Sequence, residues 1–184
     1  MDARAATPAD APGRTRKRLP RQFGAYAKME AVNVLLVPGL ALWLGWPRQA
    51  AEFVAMGVSI AACAGLLVVG AFYWHGLDRR LQGQGRATLD RALAMADRLE
   101  RPMLLATAAA VLATVAAAAL HGFTASVIAA AVLTLLAVLE HVNYYHRQVQ
   151  HFDKLADLKR LLSGRALRPS HMARDLSTYR ASRR

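Results

Sequence analysis

PMLLATAAAVLATVAAAALHGFTASVIAAAVLTLLAVL, residues 102–139, contains no Asp, Glu, Lys or Arg. A helix rises about 1.5 Å per residue, so about 20 residues cross a hydrocarbon core about 30 Å thick. The window is too long for one crossing and too short for two joined by a long loop. Its one break is His121-Gly122-Phe123. The stretch therefore reads as a tight hairpin of two spans, 103–120 and 124–145, the second completed by the polar residues His141 to Tyr145.

Two further charge-free windows, Ala31 to Pro47 and Phe53 to Leu77, lie upstream. They add spans at 29–46 and 53–75. Buried helices of soluble proteins rarely run this far without a charge, because one side must meet water. The fold expected is an all-α integral membrane four-helix bundle with amphipathic cytoplasmic helices. Its parts are a disordered basic tail (1–24), the bundle (25–146) with an inner loop at 78–101, and a basic helical tail (147–184).

Charge sets the orientation. Of 24 Lys and Arg residues, 23 fall before span one, between spans two and three, or after span four; only Arg48 falls elsewhere. The excess of basic residues over 12 acidic ones gives a net charge of +12. Cytoplasmic loops of membrane proteins carry such an excess, which predicts cytoplasmic N and C termini. The cluster Arg14, Arg16, Lys17 and Arg18 is suited to anionic inner-leaflet lipids, at about 1 kcal/mol per charge. A protein partner or a second copy is the other expected contact, and no nucleic-acid reading motif accompanies the charge.

Within the spans, Gly57, Ala61 and Gly65 form one small-residue strip, and Ala106, Ala110, Ala113 and Ala117 another. Such strips let membrane helices approach closely. Pro38-Gly39 predicts a kink in span one. In the inner loop, Leu89, Ala92, Leu93, Ala96 and Leu99 define the apolar side of a helix from Thr88 to Glu100. Beyond span four, Phe152, Leu155, Leu158 and Leu162 continue a helical period that Gly164 ends, and Pro169-Ser170 opens a last helix at His171. Cys63, the only cysteine, permits no internal disulfide and reads as a small buried hydrophobe.

The polar residues that bear on chemistry gather at one depth, the cytoplasmic ends of the spans: Glu30, Asn33, His75, Glu140, His141, Asn143, Tyr144 and His146. Glu140, Asn143, Tyr144 and Arg147 share a helix face; His141, Tyr145 and Gln148 share the next. Glu-x-Val-Asn occurs twice, at 30–33 and 140–143. These residues either end helices in the ordinary way, with Glu30 paired to Lys28 or Arg101, or line a polar pocket open to the cytoplasm. His141, His146 and His151 are spaced by five, which does not place two imidazoles on one face, so no metal site is expected. No catalytic residue or cofactor is assigned. The functions weighed are an accessory or interaction component, a small transporter or proton relay using the Glu/His cluster, and a membrane enzyme acting on a lipid head group. Among residues inside the spans, only Ser59, Thr107, Thr114 and Thr134 offer a polar path toward the far side.

The string Glu140-His-Val-Asn-Tyr-Tyr-His146, with Arg168-Pro169-Ser170 beyond it, resembles the end of the last span in small uncharacterised bacterial four-span inner-membrane proteins. The resemblance covers the last quarter of the chain. It implies a bacterial inner membrane and brings no activity with it.

Overall fold

A computed structural model describes residues 12–147 and 169–183, with side chains from residue 24 onward. Five helices occupy these residues: α1 (Pro12–Leu44), α2 (Ala50–Leu81), α3 (Ala87–His121), α4 (Ala125–Tyr145) and α5 (His171–Ala181). Four of them, α1 from Gly24 onward and the whole of α2, α3 and α4, are long and apolar enough to cross a membrane. The chain is built as a multi-pass membrane protein. α2 is its axis and packs on α1, α3 and α4, while α4 also touches α1 and α3. Four antiparallel crossings put the start of α1, the α2–α3 turn and the end of α4 at one end. Among the described residues, Lys28, the six arginines from Arg79 to Arg101, and Arg147, Arg174, Arg180 and Arg183 lie at that end, which is here the basic end.

The hairpin break stands where the charge-free window places it. α3 ends at His121, Gly122 turns the chain at φ +72°, and Thr124 caps α4 by accepting from the Val127 N–H at 3.3 Å. The helices outrun their spans elsewhere. α2 continues to Leu81 and α3 begins at Ala87, so the inner loop expected at 78–101 shrinks to 82–86. Asp78, Arg79 and Arg80 leave the lipid but do not break a helix; Gly83 and Gly85, at φ +81° and +78°, make the turn. At 32 residues α2 is about 48 Å long, so it projects well past a hydrocarbon core of about 30 Å.

The separate inner-loop helix is accordingly the first third of α3, continuous with span three through Pro102. Proline leaves the Arg98 carbonyl without its helical partner. Arg98 and Pro102 are both exposed, so water can donate to that carbonyl in place of the missing N–H. The apolar side expected there is the buried one: Leu89, Ala92, Leu93 and Ala96 are all buried. They face α2 and α5 rather than a membrane surface.

Helix also reaches back to Pro12, so residues 12–24 are the opening turns of α1 and not part of a disordered tail. Proline suits a first helical position, and Arg and Lys are good helix formers. α1 is helical through Pro38-Gly39. The side chains of Arg14, Arg16, Lys17 and Arg18 lie outside the described residues, as do residues 1–11 and the period 152–164. The tail does not continue α4, which stops at Tyr145. His146 leaves the helical region (φ −127°, ψ −75°), and a bridge from Arg147 to Pro169 brings the chain back to start α5.

The expected α2 strip makes close approach at one member, Gly65, where an added Cβ would stand 2.8 Å from the Met103 Sδ. The α3 strip holds, with Ala110 and Ala117 fully buried. On α2, Gly57 and Ala61 are exposed, and a Cβ on Gly57 would meet nothing within 4 Å. The buried face of α2 runs instead through Ser59, Cys63, Leu66, Gly70 and Tyr73. Its further tight points are Gly70 and Gly76, where an added Cβ would stand 2.1 Å from the Tyr144 hydroxyl and 2.8 Å from the Leu89 Cα. Gly76→Ala is therefore expected to lose about 1–3 kcal/mol, because the obstacle is backbone. Gly57→Ala should leave stability unchanged or slightly raised. Thermal unfolding of both variants in detergent checks the contrast.

Candidate functional site

Polar side chains inside the bundle sit at three levels along α2. At the end away from the basic residues, Glu52 joins the two short turns. Its Oε2 accepts the backbone N–H groups of Arg48 (2.7 Å) and Gln49 (3.3 Å), and its Oε1 accepts the Thr124 hydroxyl (2.7 Å). Thr124 also meets Ser126 at 3.0 Å. These residues border a cleft of about 530 Å³ that includes Trp46 and His121. Glu52 is absent from the residues singled out by sequence. The available signal was the helix-start pattern Gln49-x-x-Glu52, in which a glutamate reaches back to orphan N–H groups.

At mid-depth, three hydroxyls from three helices meet. Ser59 lies 2.8 Å from Thr134, Thr114 lies 3.1 Å from Thr134, and Ser59 and Thr114 are 3.5 Å apart. All three residues are buried. Such contacts tie membrane helices together for about 0.6 kcal/mol each, rarely more than about 1.7. Thr107, the fourth residue of the supposed path, bonds the Met103 carbonyl of its own helix at 2.8 Å.

The third level is the cluster expected at the basic end, and the structure divides it. Glu30, Glu140 and Tyr144 come together. The Tyr144 hydroxyl donates to Glu30 Oε1 at 3.0 Å and also reaches Glu140. Glu140 lies close enough to Glu30 for their charges to act on each other. Glu30 is 9% exposed, Glu140 7% and Tyr144 3%. The room for the Tyr144 ring is the missing side chain of Gly70, and Cys63 of α2 lies near both carboxyl groups. The two glutamates of the repeated Glu-x-Val-Asn pattern are thus the two that meet. Glu30 makes no ion pair with Lys28 or Arg101.

The histidines lie apart from this group. His141 is buried against the Tyr145 ring (centroids 4.9 Å) and meets the exposed His146 at 5.7 Å, with neither ring nitrogen hydrogen-bonded. His75 is exposed, and Asn33 and Asn143 are half-buried; none makes a side-chain hydrogen bond among the described residues. Among those residues no set of three His, Cys, Asp or Glu side chains could hold a metal ion.

Just beyond this level α5 closes over the α2–α3 hairpin. Ser170 accepts from the Ala173 N–H at its own helix start and donates to the Tyr144 carbonyl at 3.1 Å. The Tyr73 hydroxyl donates to Asp175 at 2.9 Å, and Tyr145 donates to the Ala96 carbonyl at 3.1 Å. Arg180 binds Asp97 at 2.6 Å and also Glu100. Partial burial works against the Arg180 charge, but the bonds to Glu100 and Asp97 outweigh it and raise its pKa. Met172, Leu176 and Tyr179 fill the interface. The start of α5 was legible in Pro169-Ser170; its contacts to Tyr73, Asp97 and Glu100, 80 to 102 positions away, carry no local signal.

No protein-family model, curated protein or solved structure matches this chain.

Removing Glu52 tests the first level. Glu52→Ala leaves the Arg48 N–H and Thr124 hydroxyl without their acceptor, for an expected loss of about 1–3 kcal/mol. Hydrogen exchange should speed up across both turns, residues 45–49 and 122–124, while α5 keeps its protection.

Proposed function

We propose that the chain is a multi-pass protein of a bacterial inner membrane, with both termini in the cytoplasm, that serves as an accessory or interaction component through its basic end. The observation that carries this is the charge distribution. Apart from His141, the buried polar groups at these levels engage neighbouring helices or turns, so what the molecule offers outward at this end is cationic surface. Arg79, Arg80, Arg91, Arg98 and Arg101 are exposed and form no ion pair among the described residues. Arg98 and Arg101 stand within about 8 Å of axial rise of Met103, where the apolar part of α3 begins, which is head-group depth. Anionic lipid head groups are the partner that fits this ring. The bacterial setting rests on the Glu140–His146 string and its resemblance.

A transport or proton-relay role is the second reading, favoured by the buried Glu30–Glu140 pair. It requires a route to the far end. The hydroxyl group at mid-depth stands about 9 Å of helix rise from Glu140, across Ala137.

Two measurements test the leading reading. Reporters fused at each terminus should both report the cytoplasm; opposite compartments overturn the orientation. In vesicles, phosphatidylglycerol should stabilise the chain over phosphatidylcholine. Replacing Arg98 and Arg101 by Gln should remove about 1 kcal/mol of that gain per charge. Equal stability in both lipids overturns the lipid partner.

A further inference from the structure

We propose that the cleft at the end away from the basic residues binds the head group of one zwitterionic phospholipid, with the phosphate on Arg48 and His121 and the ammonium group on the charge of Glu52. The cleft is already built. At about 530 Å³ it falls within the roughly 300–1,000 Å³ usual for small-ligand sites. An added Cβ on Gly45 would stand 2.4 Å from the Ala125 carbonyl oxygen, so the end of α1 rests on the backbone of α4. Glu52 bonds the backbone of the α1–α2 turn and the Thr124 side chain at the start of α4. Both walls are therefore held without a ligand.

The charged groups of the cleft stay unpaired among the described residues. Arg48 is the one Lys or Arg between spans one and two; it is exposed, and its guanidinium makes no ion pair there. Its backbone N–H, not its side chain, serves Glu52. His121, exposed at the end of α3, makes no side-chain hydrogen bond among the described residues. Glu52 is 4% exposed, and every group that bonds it is neutral: the Arg48 and Gln49 N–H groups and the Thr124 and Ser126 hydroxyls. They occupy the carboxylate oxygens but leave its negative charge without a cation among the described residues. A buried charge in that state is costly.

These charges limit the ligand. A simple anion on Arg48 would meet the negative charge of Glu52, and a simple cation at Glu52 would leave Arg48 unmet. A molecule that carries both charges a few bonds apart satisfies both. His121 adds an N–H donor for the phosphate in either protonation state. The source of the ligand follows from depth. Glu52 stands about 3 Å of helix rise inside α2, at the lipid edge. Leu44 and Trp46 belong to the same lining and are exposed, and tryptophan settles at head-group level. The cleft thus opens where phospholipids carry ammonium and phosphate side by side. The cationic surface at the opposite end plays no part in it.

Native mass spectrometry of the purified full chain with phosphatidylethanolamine tests this, phosphatidylglycerol being the control that has the phosphate and lacks the amine. The unaltered chain should retain one phosphatidylethanolamine that the Arg48→Gln/His121→Gln variant binds at least about tenfold more weakly, two hydrogen bonds to a charged group having been lost. Phosphatidylglycerol binding should be the same in both chains. Both replaced side chains are exposed, and the change at Arg48 keeps the backbone N–H that Glu52 accepts, so hydrogen exchange over 45–49 and 122–124 should not move. Equal phosphatidylethanolamine binding by the two chains overturns the proposal. An equal loss of phosphatidylglycerol assigns the cleft to any phosphate and overturns the zwitterionic ligand. Displacement of the lipid by an equal concentration of glycerophosphoethanolamine assigns it to a soluble amino phosphate and overturns the lipid source. Should exchange in the turns speed up in the double variant, the single Arg48→Gln change takes its place under the same outcomes.

Discussion

A hydrocarbon layer offers no water to a polar group, so each such group inside the bundle must find its partner within the protein. That constraint orders the structure. Backbone groups satisfy it by helix formation. Side chains satisfy it by meeting one another, chiefly on α2 and α4, the two helices that touch all the other spans. Glu52 takes up the orphan N–H groups of a neighbouring turn, Ser59 joins Thr114 and Thr134, and Tyr144 settles into the notch left by Gly70. Small residues are what bring these partners within reach, because apolar side chains gain nothing by leaving lipid for protein.

The same constraint explains what the sequence reveals. Hydropathy and charge report where lipid ends, and the four crossings, the break at Gly122 and the basic end follow from them. They do not report where a helix ends. Asp78 and Arg80 look like loop residues to a hydropathy reading, yet both lie in α2, because leaving lipid does not require leaving the helix. Gly57 and Ala61 match the small-residue rule as well as Gly70 and Gly76 do. Only the partner decides between them, and the partner is a distant residue.

The polar cluster was legible by halves. Helical spacing put Glu140 with Tyr144 and His141 with Tyr145, and both pairs are present. Spacing along one helix cannot show which neighbour its faces meet. It therefore grouped histidines and glutamates by depth alone, whereas the structure turns the glutamates toward α1 and α2 and the histidines away from them. Glu52 was missed for the opposite reason: it sits where the chain carries almost no charge, so charge counting passes over it.

Tyr144 holds the chain at two points. Its hydroxyl binds Glu30, 114 residues earlier, and its carbonyl binds Ser170, 26 residues later. During synthesis the first crossing enters the bilayer long before either contact exists. Its carboxyl group waits at the membrane edge, still short of a donor, until the fourth crossing is made. The nascent chain consequently passes through a stage in which its earliest inserted segment is its least anchored one, and the residue that ends the wait also seats the terminal helix.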